Sequence, residues 1–240
     1  MTSDITRFTE IFEKIAYSKS DEEVFDDFLT ILICCLSGER YEDEYLSIVK
    51  KYTKEAFYIF PQLANEMVNI MDNDGMGLTD CLGEFFQHKI SKGRNGQFFT
   101  PTHITDFMGM ILIDGETIGK KVFDPACGSG RMLMSAAKVS RRNRFYGADI
   151  DHRCCKMTAI NFCLNGMIGE VAWMDTLKFE HWGGYTIFLD ETRNFIPAIK
   201  KLQANEGYIY SNSFFTPAEK PVKENAKTET SATIQIELNL

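Results

Sequence analysis

The heptapeptide Asp124-Pro125-Ala126-Cys127-Gly128-Ser129-Gly130 restricts the fold of this 240-residue chain more than any other feature. It follows a short β-branched and aromatic run at 121–123 and precedes Arg131–Val139, which is rich in helix formers. Glycines between a strand and a helix permit positive φ and let a ligand approach the backbone at the helix N-terminus. The alternation then continues. Residues 145–147 read as a second strand, 152–165 as a helix ended by Gly166, 171–173 as a third strand and 185–189 as a fourth. Strand–helix alternation at this spacing predicts an α/β fold with a parallel sheet.

The first ninety residues read as helices. Ile5, Phe8, Ile11, Phe12 and Ile15 recur at helical spacing. Ser20-Asp21-Glu22-Glu23 has a capping-box pattern, which would start a helix carrying Val24, Phe28, Ile31 and Cys35. Helical periodicity runs on through Leu46, Val49, Thr53, Ala56 and Phe57, with Pro61 marking a break or a new start. Asp72-Asn73-Asp74-Gly75 reads as a turn before the next helical run, 78–90. As a calcium loop it fails, because Ile70 and Cys81 would stand where carboxylates are required. The predicted organisation is a helical region at about 1–95, an α/β domain at about 96–215 and a disordered tail at 216–240. Ile234, Ile236 and Leu238 alternate at strand period, so the extreme end is expected to dock.

Charge bounds the partners. With 26 Lys and Arg against 34 Asp and Glu, the formal net charge is −8, a poor balance for binding nucleic acid without local patches or a partner. Lys138, Arg141, Arg142 and Arg144 form one basic cluster, and Lys89, Lys92 and Arg94 another. Neither has the interleaved aromatics of a single-strand platform, and the first reads as solvated complement to a helix dipole. The longest apolar stretch, 28–36, is too short for a bilayer, and the N-terminus has no signal-peptide core. Seven cysteines, including the adjacent pairs Cys34-Cys35 and Cys154-Cys155, lack zinc spacing and read as reduced thiols in a cytoplasm. No metal site is expected from His88, His103, His152 or His181.

The ligand class follows from two carboxylates. Asp149 ends the second strand twenty-one residues after Gly128, where a Rossmann fold places the acceptor for ribose hydroxyls. Leu133 stands where the dinucleotide fingerprint asks for Gly or Ala. Asp124, at the end of the first strand, would repel a pyrophosphate and attract the α-ammonium of S-adenosylmethionine. A carboxylate at a helix start also complements the macrodipole, and the strand context favours the cofactor role.

At these residues the chain resembles the modification subunit of type I restriction-modification systems, an N6-adenine DNA methyltransferase. Asp80-Cys81-Leu82-Gly83-Glu84-Phe85-Phe86 resembles a helical signature upstream of the family's catalytic domain. Gly96-Gln97-Phe98-Phe99-Thr100-Pro101 is similar to its first cofactor-contact motif. Asp124 to Gly130 looks like its glycine loop, Tyr146-Gly147-Ala148-Asp149 its ribose-binding strand end, and Met174-Asp175 its adenine contact. The resemblance implies a Rossmann-like S-adenosylmethionine-dependent methyltransferase fold, incomplete here, with a helical N-terminal region. It implies that Thr100 and Pro101 line the methionine end, that Asp124, Gly128 and Gly130 cradle the amino-acid part, and that Asp149 and Asp175 hold ribose and adenine. It also implies DNA as a partner, reached through a specificity subunit, in a homo- or hetero-oligomer.

The same family needs Asn or Asp, then Pro-Pro and an aromatic, after its fourth strand. The exocyclic amine of adenine is a weak nucleophile, so two acceptors orient it while the aromatic stacks on the flipped base. The six prolines, at 61, 101, 125, 197, 217 and 221, include no adjacent pair, so the motif is absent from this sequence. Asp190, which follows the fourth predicted strand, is the candidate for a substitute acceptor. Three readings remain: a cofactor-binding relative without catalysis, an active enzyme with a divergent acceptor site, alone or completed by a partner chain, and an interaction module with a vestigial glycine loop.

Overall fold

The computed structural model describes residues 5–91, 99–116, 118–211 and 233–235. The helical region opens with α1 (Thr6–Ile15), whose Phe8, Phe12 and Ile15 are buried as their spacing predicts. Next comes α2 (Asp21–Leu36), begun by Ser20, whose hydroxyl accepts the Glu23 N–H at 3.1 Å. The run predicted from Leu46 to Phe57 is two helices, α3 (Glu42–Val49) and α4 (Lys54–Phe57), the second capped by the Thr53 hydroxyl. Pro61 lies in the first turn of α5 (Phe60–Asp72), where its missing N–H costs nothing. Then α6 (Cys81–Phe85) passes into a π-helical turn, Phe86–Ser91.

The α/β part starts with α7 (Thr102–Leu112) and β1 (Lys121–Asp124). It continues through α8 (Arg131–Val139), β2 (Arg144–Asp149), α9 (His152–Leu164) and β3 (Gly169–Asp175). β4 (Glu180–Asp190), β5 (Ile196–Leu202), α10 (Tyr208–Ser211) and β6 (Thr233–Gln235) complete it. The sheet order is β5-β4-β3-β2-β1-β6. β1 pairs in parallel with β2 and β6, and β2 with β3.

Two expectations change. The fourth strand is not parallel: β4 folds back on β3 as a hairpin, and β5 pairs antiparallel to β4. Only residues 176–179 join β3 to β4, and a parallel crossover needs a dozen or more. Within the predicted tail, residues 233–235 form β6 beside β1, so that part of the end does dock, while 212–232 and 236–240 lie outside the described residues.

Alternate strand residues feed two cores. Val122, Phe145, Val171, Tyr185 and Ile199 join α8, α9 and the helical region in one continuous cluster. Phe123, Tyr146, Ala172 and Met174 face the other way, where Ile209 and Tyr208 of α10 pack. α2 lies directly against α9, which places the helical region on the same face of the sheet as α8 and α9. Among the described residues no helix is long and apolar enough to cross a membrane.

Candidate functional site

β1, β2 and β3 end in Asp124, Asp149 and Asp175. The strands are parallel and adjacent, so the three carboxylates share one edge of the sheet, where open α/β sheets take ligands. The glycine loop is fastened across that edge. Cys127 N–H donates to the Ala148 carbonyl at 2.9 Å, and Gly128 N–H to Asp149 Oδ2 at 2.8 Å. Gly128 (φ +55°) and Gly130 (φ +83°) are both left-handed. A Cβ on Gly128 would stand 3.0 Å from the Phe99 ring, and one on Gly130 2.9 Å from Thr158 Cγ2. From below, Thr158 donates its hydroxyl to the Gly128 carbonyl and Asn161 its amide to that of Ser129, each at 2.8 Å.

The three carboxyls are shifted in different directions. Burial pushes the Asp124 carboxyl up to about 6, the Ala126 N–H at 3.0 Å opposing and the Asp149 charge adding. Burial also raises Asp149, against the N–H groups of Asp151 and Gly128. Asp149 Oδ2 accepts the Gly128 N–H and Oδ1 the Asp151 N–H, each at 2.8 Å. Asp175 is held below the usual carboxylate range, chiefly by the Lys178 N–H, and its Oδ1 also accepts the Leu177 N–H at 3.0 Å.

Phe99 and Thr100 join Asp124, Gly128 and Arg131 around a cavity of about 70 Å³, and Pro101 sits at the start of α7. Gly96, Gln97 and Phe98 of the same motif lie outside the described residues. A larger cavity of about 430 Å³ lies behind Arg131, lined from α5, α7 and α8 by residues such as Ile70, Asp106 and Lys138.

Asp190 does not join this group. Because β4 runs antiparallel to β3, with Ile187 opposite Gly169, its last residue lies at the far end of the sheet from the glycine loop. There the Thr192 hydroxyl and the Arg40 guanidinium, at 2.6 and 2.9 Å, hold its carboxyl below the usual range. Asp190 is therefore a turn and ion-pair residue, remote from the carboxylates of the cleft. Of the basic clusters, Lys138 pairs with Asp106 and Lys89 with Glu13.

Composition and spacing gave no role to Asp80, Arg131, Thr158 or Asn161, all of which shape the loop. Arg131 did carry a signal. It opens α8, where the helix dipole disfavours a cation, and that misfit calls for a buried acid nearby. Asp80 and Glu84 supply it at 2.9 and 3.0 Å.

Residues 80–234 match the N-6 DNA Methylase family. The chain belongs to that family. It is 24% identical over 192 residues to the type I restriction enzyme MjaIX methylase subunit of Methanocaldococcus jannaschii, covering 73% of this chain and 32% of the relative. It is 29% identical over 117 residues to the type I restriction enzyme MpnII methylase subunit of Mycoplasma pneumoniae, covering 43% and 22%. The chain thus spans about a third or less of the length of these curated relatives. A type I restriction-modification methyltransferase subunit from Streptococcus thermophilus is similar in structure at a TM-score of 0.38 and 19% identity, covering 71% of this chain and 39% of that one.

Proposed function

We propose that this chain binds S-adenosylmethionine on the edge formed by β1, β2 and β3, as the methyl-donor part of an adenine N6 DNA methyltransferase of the type I kind. The observation that carries the proposal is the bond from Gly128 N–H to Asp149, which ties the glycine loop to the ribose carboxylate across the strand ends. The residues fit the cofactor. Asp124, buried beside the small cavity, offers a carboxylate to the α-ammonium; Thr100 lines the same cavity and Pro101 follows it at the start of α7. Gly128 and Gly130 hold the loop's left-handed turns, where a side chain would meet Phe99 or Thr158, and so let the loop backbone face the amino-acid part. Asp149 has lone pairs for the ribose hydroxyls. Asp175 spends Oδ1 on its own turn, and Oδ2, 3.4 Å from the exposed Lys178 ammonium, keeps a lone pair for an adenine amino group.

When bound, S-adenosylmethionine supplies an electrophilic methyl group. What these residues contribute is its binding and orientation. Acceptance of the methyl group requires acceptors for the adenine amine; the sequence has no Pro-Pro pair, and among the described residues Asp190 lies away from the cleft. On this reading DNA is bound together with a partner chain, since at a net charge of −8 this chain alone binds it weakly and in a salt-dependent way. The test is calorimetric titration of S-adenosylmethionine into the purified chain and its Asp149→Ala variant. Saturable binding lost in the variant supports the proposal; no heat from a folded native chain contradicts it.

A further inference from the structure

Asp80 lies outside the α/β sheet, at the start of α6, yet it is the most heavily bonded carboxylate near the cleft. Its Oδ1 accepts the Gly83 N–H at 2.8 Å and the Asn161 amide at 3.1 Å. Its Oδ2 accepts the Ser129 hydroxyl, and Arg131 Nε at 3.0 Å. All these groups are buried. The partners reach both lips of the cavity. Asn161 also holds the Ser129 carbonyl, and so the glycine loop. Arg131 also donates from Nη1 to the Thr100 carbonyl at 3.2 Å, and its guanidinium lies 5.8 Å from the centre of the Phe99 ring. Gly83 permits the approach, since a Cβ there would stand 2.1 Å from Asp80 and 2.4 Å from the Ser129 hydroxyl.

We propose that Asp80 is a positioning residue for the cofactor cleft: through Ser129, Asn161 and Arg131 it sets the glycine loop and the Thr100 lip at the separation that binding requires. The inference rests on the cofactor reading given above and adds a role for the helical region in it. Arg131 is the link, because it lines both the small cavity and the larger one behind it. A neutral Asn at position 80 keeps the shape but not the charge, so Arg131 is no longer pinned between two carboxylates and the carbonyl of Thr100. Asp80 touches no reacting atom. Its effect is on geometry alone.

The experiment compares the native chain with Asp80→Asn and with Asp27→Asn. Asp27 is an equally buried carboxylate, bonded to Lys51 and Tyr52 away from the cleft, and controls for general loss of stability. Two readouts are taken: amide hydrogen exchange of the ligand-free proteins and calorimetric affinity for S-adenosylmethionine. Asp80→Asn is expected to speed exchange at the Gly128 and Gly130 amides and in the first turn of α7, with β4 and β5 unchanged, and to weaken cofactor binding at least tenfold. Asp27→Asn is expected to leave the loop amides and the affinity as in the native chain. Unchanged loop exchange in Asp80→Asn, or faster exchange spread evenly over the molecule, overturns the proposal, as does an affinity within twofold of native. If the native chain binds no S-adenosylmethionine, the cofactor reading fails separately, and the exchange pattern still decides whether Asp80 orders the loop.

Discussion

Asp124 is buried at a strand end against its own charge, and that has a measurable consequence. The folded-state value of about 6 lies above the ordinary 3.8, so between those values the folded protein holds a proton that the unfolded chain has released. Stability contributed at this site therefore falls as pH rises through that window, and the full penalty is present above about 6. Asp124→Asn removes the charge and keeps an acceptor for the Ala126 N–H. It is expected to stabilise the ligand-free protein near neutral pH by about 1–3 kcal/mol in urea denaturation, and to abolish S-adenosylmethionine binding. For the native chain, affinity should fall as pH drops below about 6, when the carboxylate facing the ammonium is neutralised. A variant less stable than native would contradict this account of the site. At this scale the strand-end placement of Asp124 and Asp149 beside the glycine loop was legible, because each closes a short apolar run next to the loop or one crossover after it. Asn161 and Thr158 were not, because polar residues on a helix gain meaning only when the loop lies over them.

Helix contacts set the width of the cleft at the next scale. α7 begins just after Thr100-Pro101, α8 just after Gly130, and the two helices touch at Gly109, where a Cβ would stand 2.9 Å from the Ser135 carbonyl oxygen. Alanine has the better helix propensity by about 1 kcal/mol, yet the close approach to backbone dominates. Gly109→Ala is expected to destabilise the chain by about 1–3 kcal/mol and to weaken cofactor binding by splaying the lips. Both are read by thermal unfolding with and without ligand; a more stable variant would show that the helices do not meet closely there. Helix α1, the Ser20 cap and β1 to β3 followed from periodicity and capping chemistry. The β3–β4 hairpin did not, because the expected fourth strand rested on residues 185–189 alone. Both strands are longer than their apolar centres, so only residues 176–179 join them, too few for a parallel crossover. That error also misplaced Asp190, since reversing one strand carries its last residue to the other end of the sheet.

Across the whole molecule, one buried cluster runs from Phe8 through Phe85 and Leu133 to Ile199, so the helical region and the sheet share a core. Division of the chain near residue 95 follows composition, yet α2 packs on α9 and Asp80 bonds to Arg131 across that line. A shared core predicts one cooperative transition. Both tryptophans, Trp173 and Trp182, lie in the sheet, whereas far-ultraviolet circular dichroism reports mainly the helices. Urea curves from the two probes are expected to coincide, and a sheet that melts apart from the helices would refute the shared core. Sheet order was beyond sequence reasoning, because β6 reaches β1 only after the long segment that follows β5. The most direct measurement of the central claim is an amide-shift map by nuclear magnetic resonance as S-adenosylmethionine is added to the labelled chain. Binding at the edge of β1, β2 and β3 predicts the largest shifts at Gly128, Gly130 and the residues around Asp149 and Asp175, with none near Asp190. Saturable shifts centred elsewhere, or no shifts at all, would contradict it.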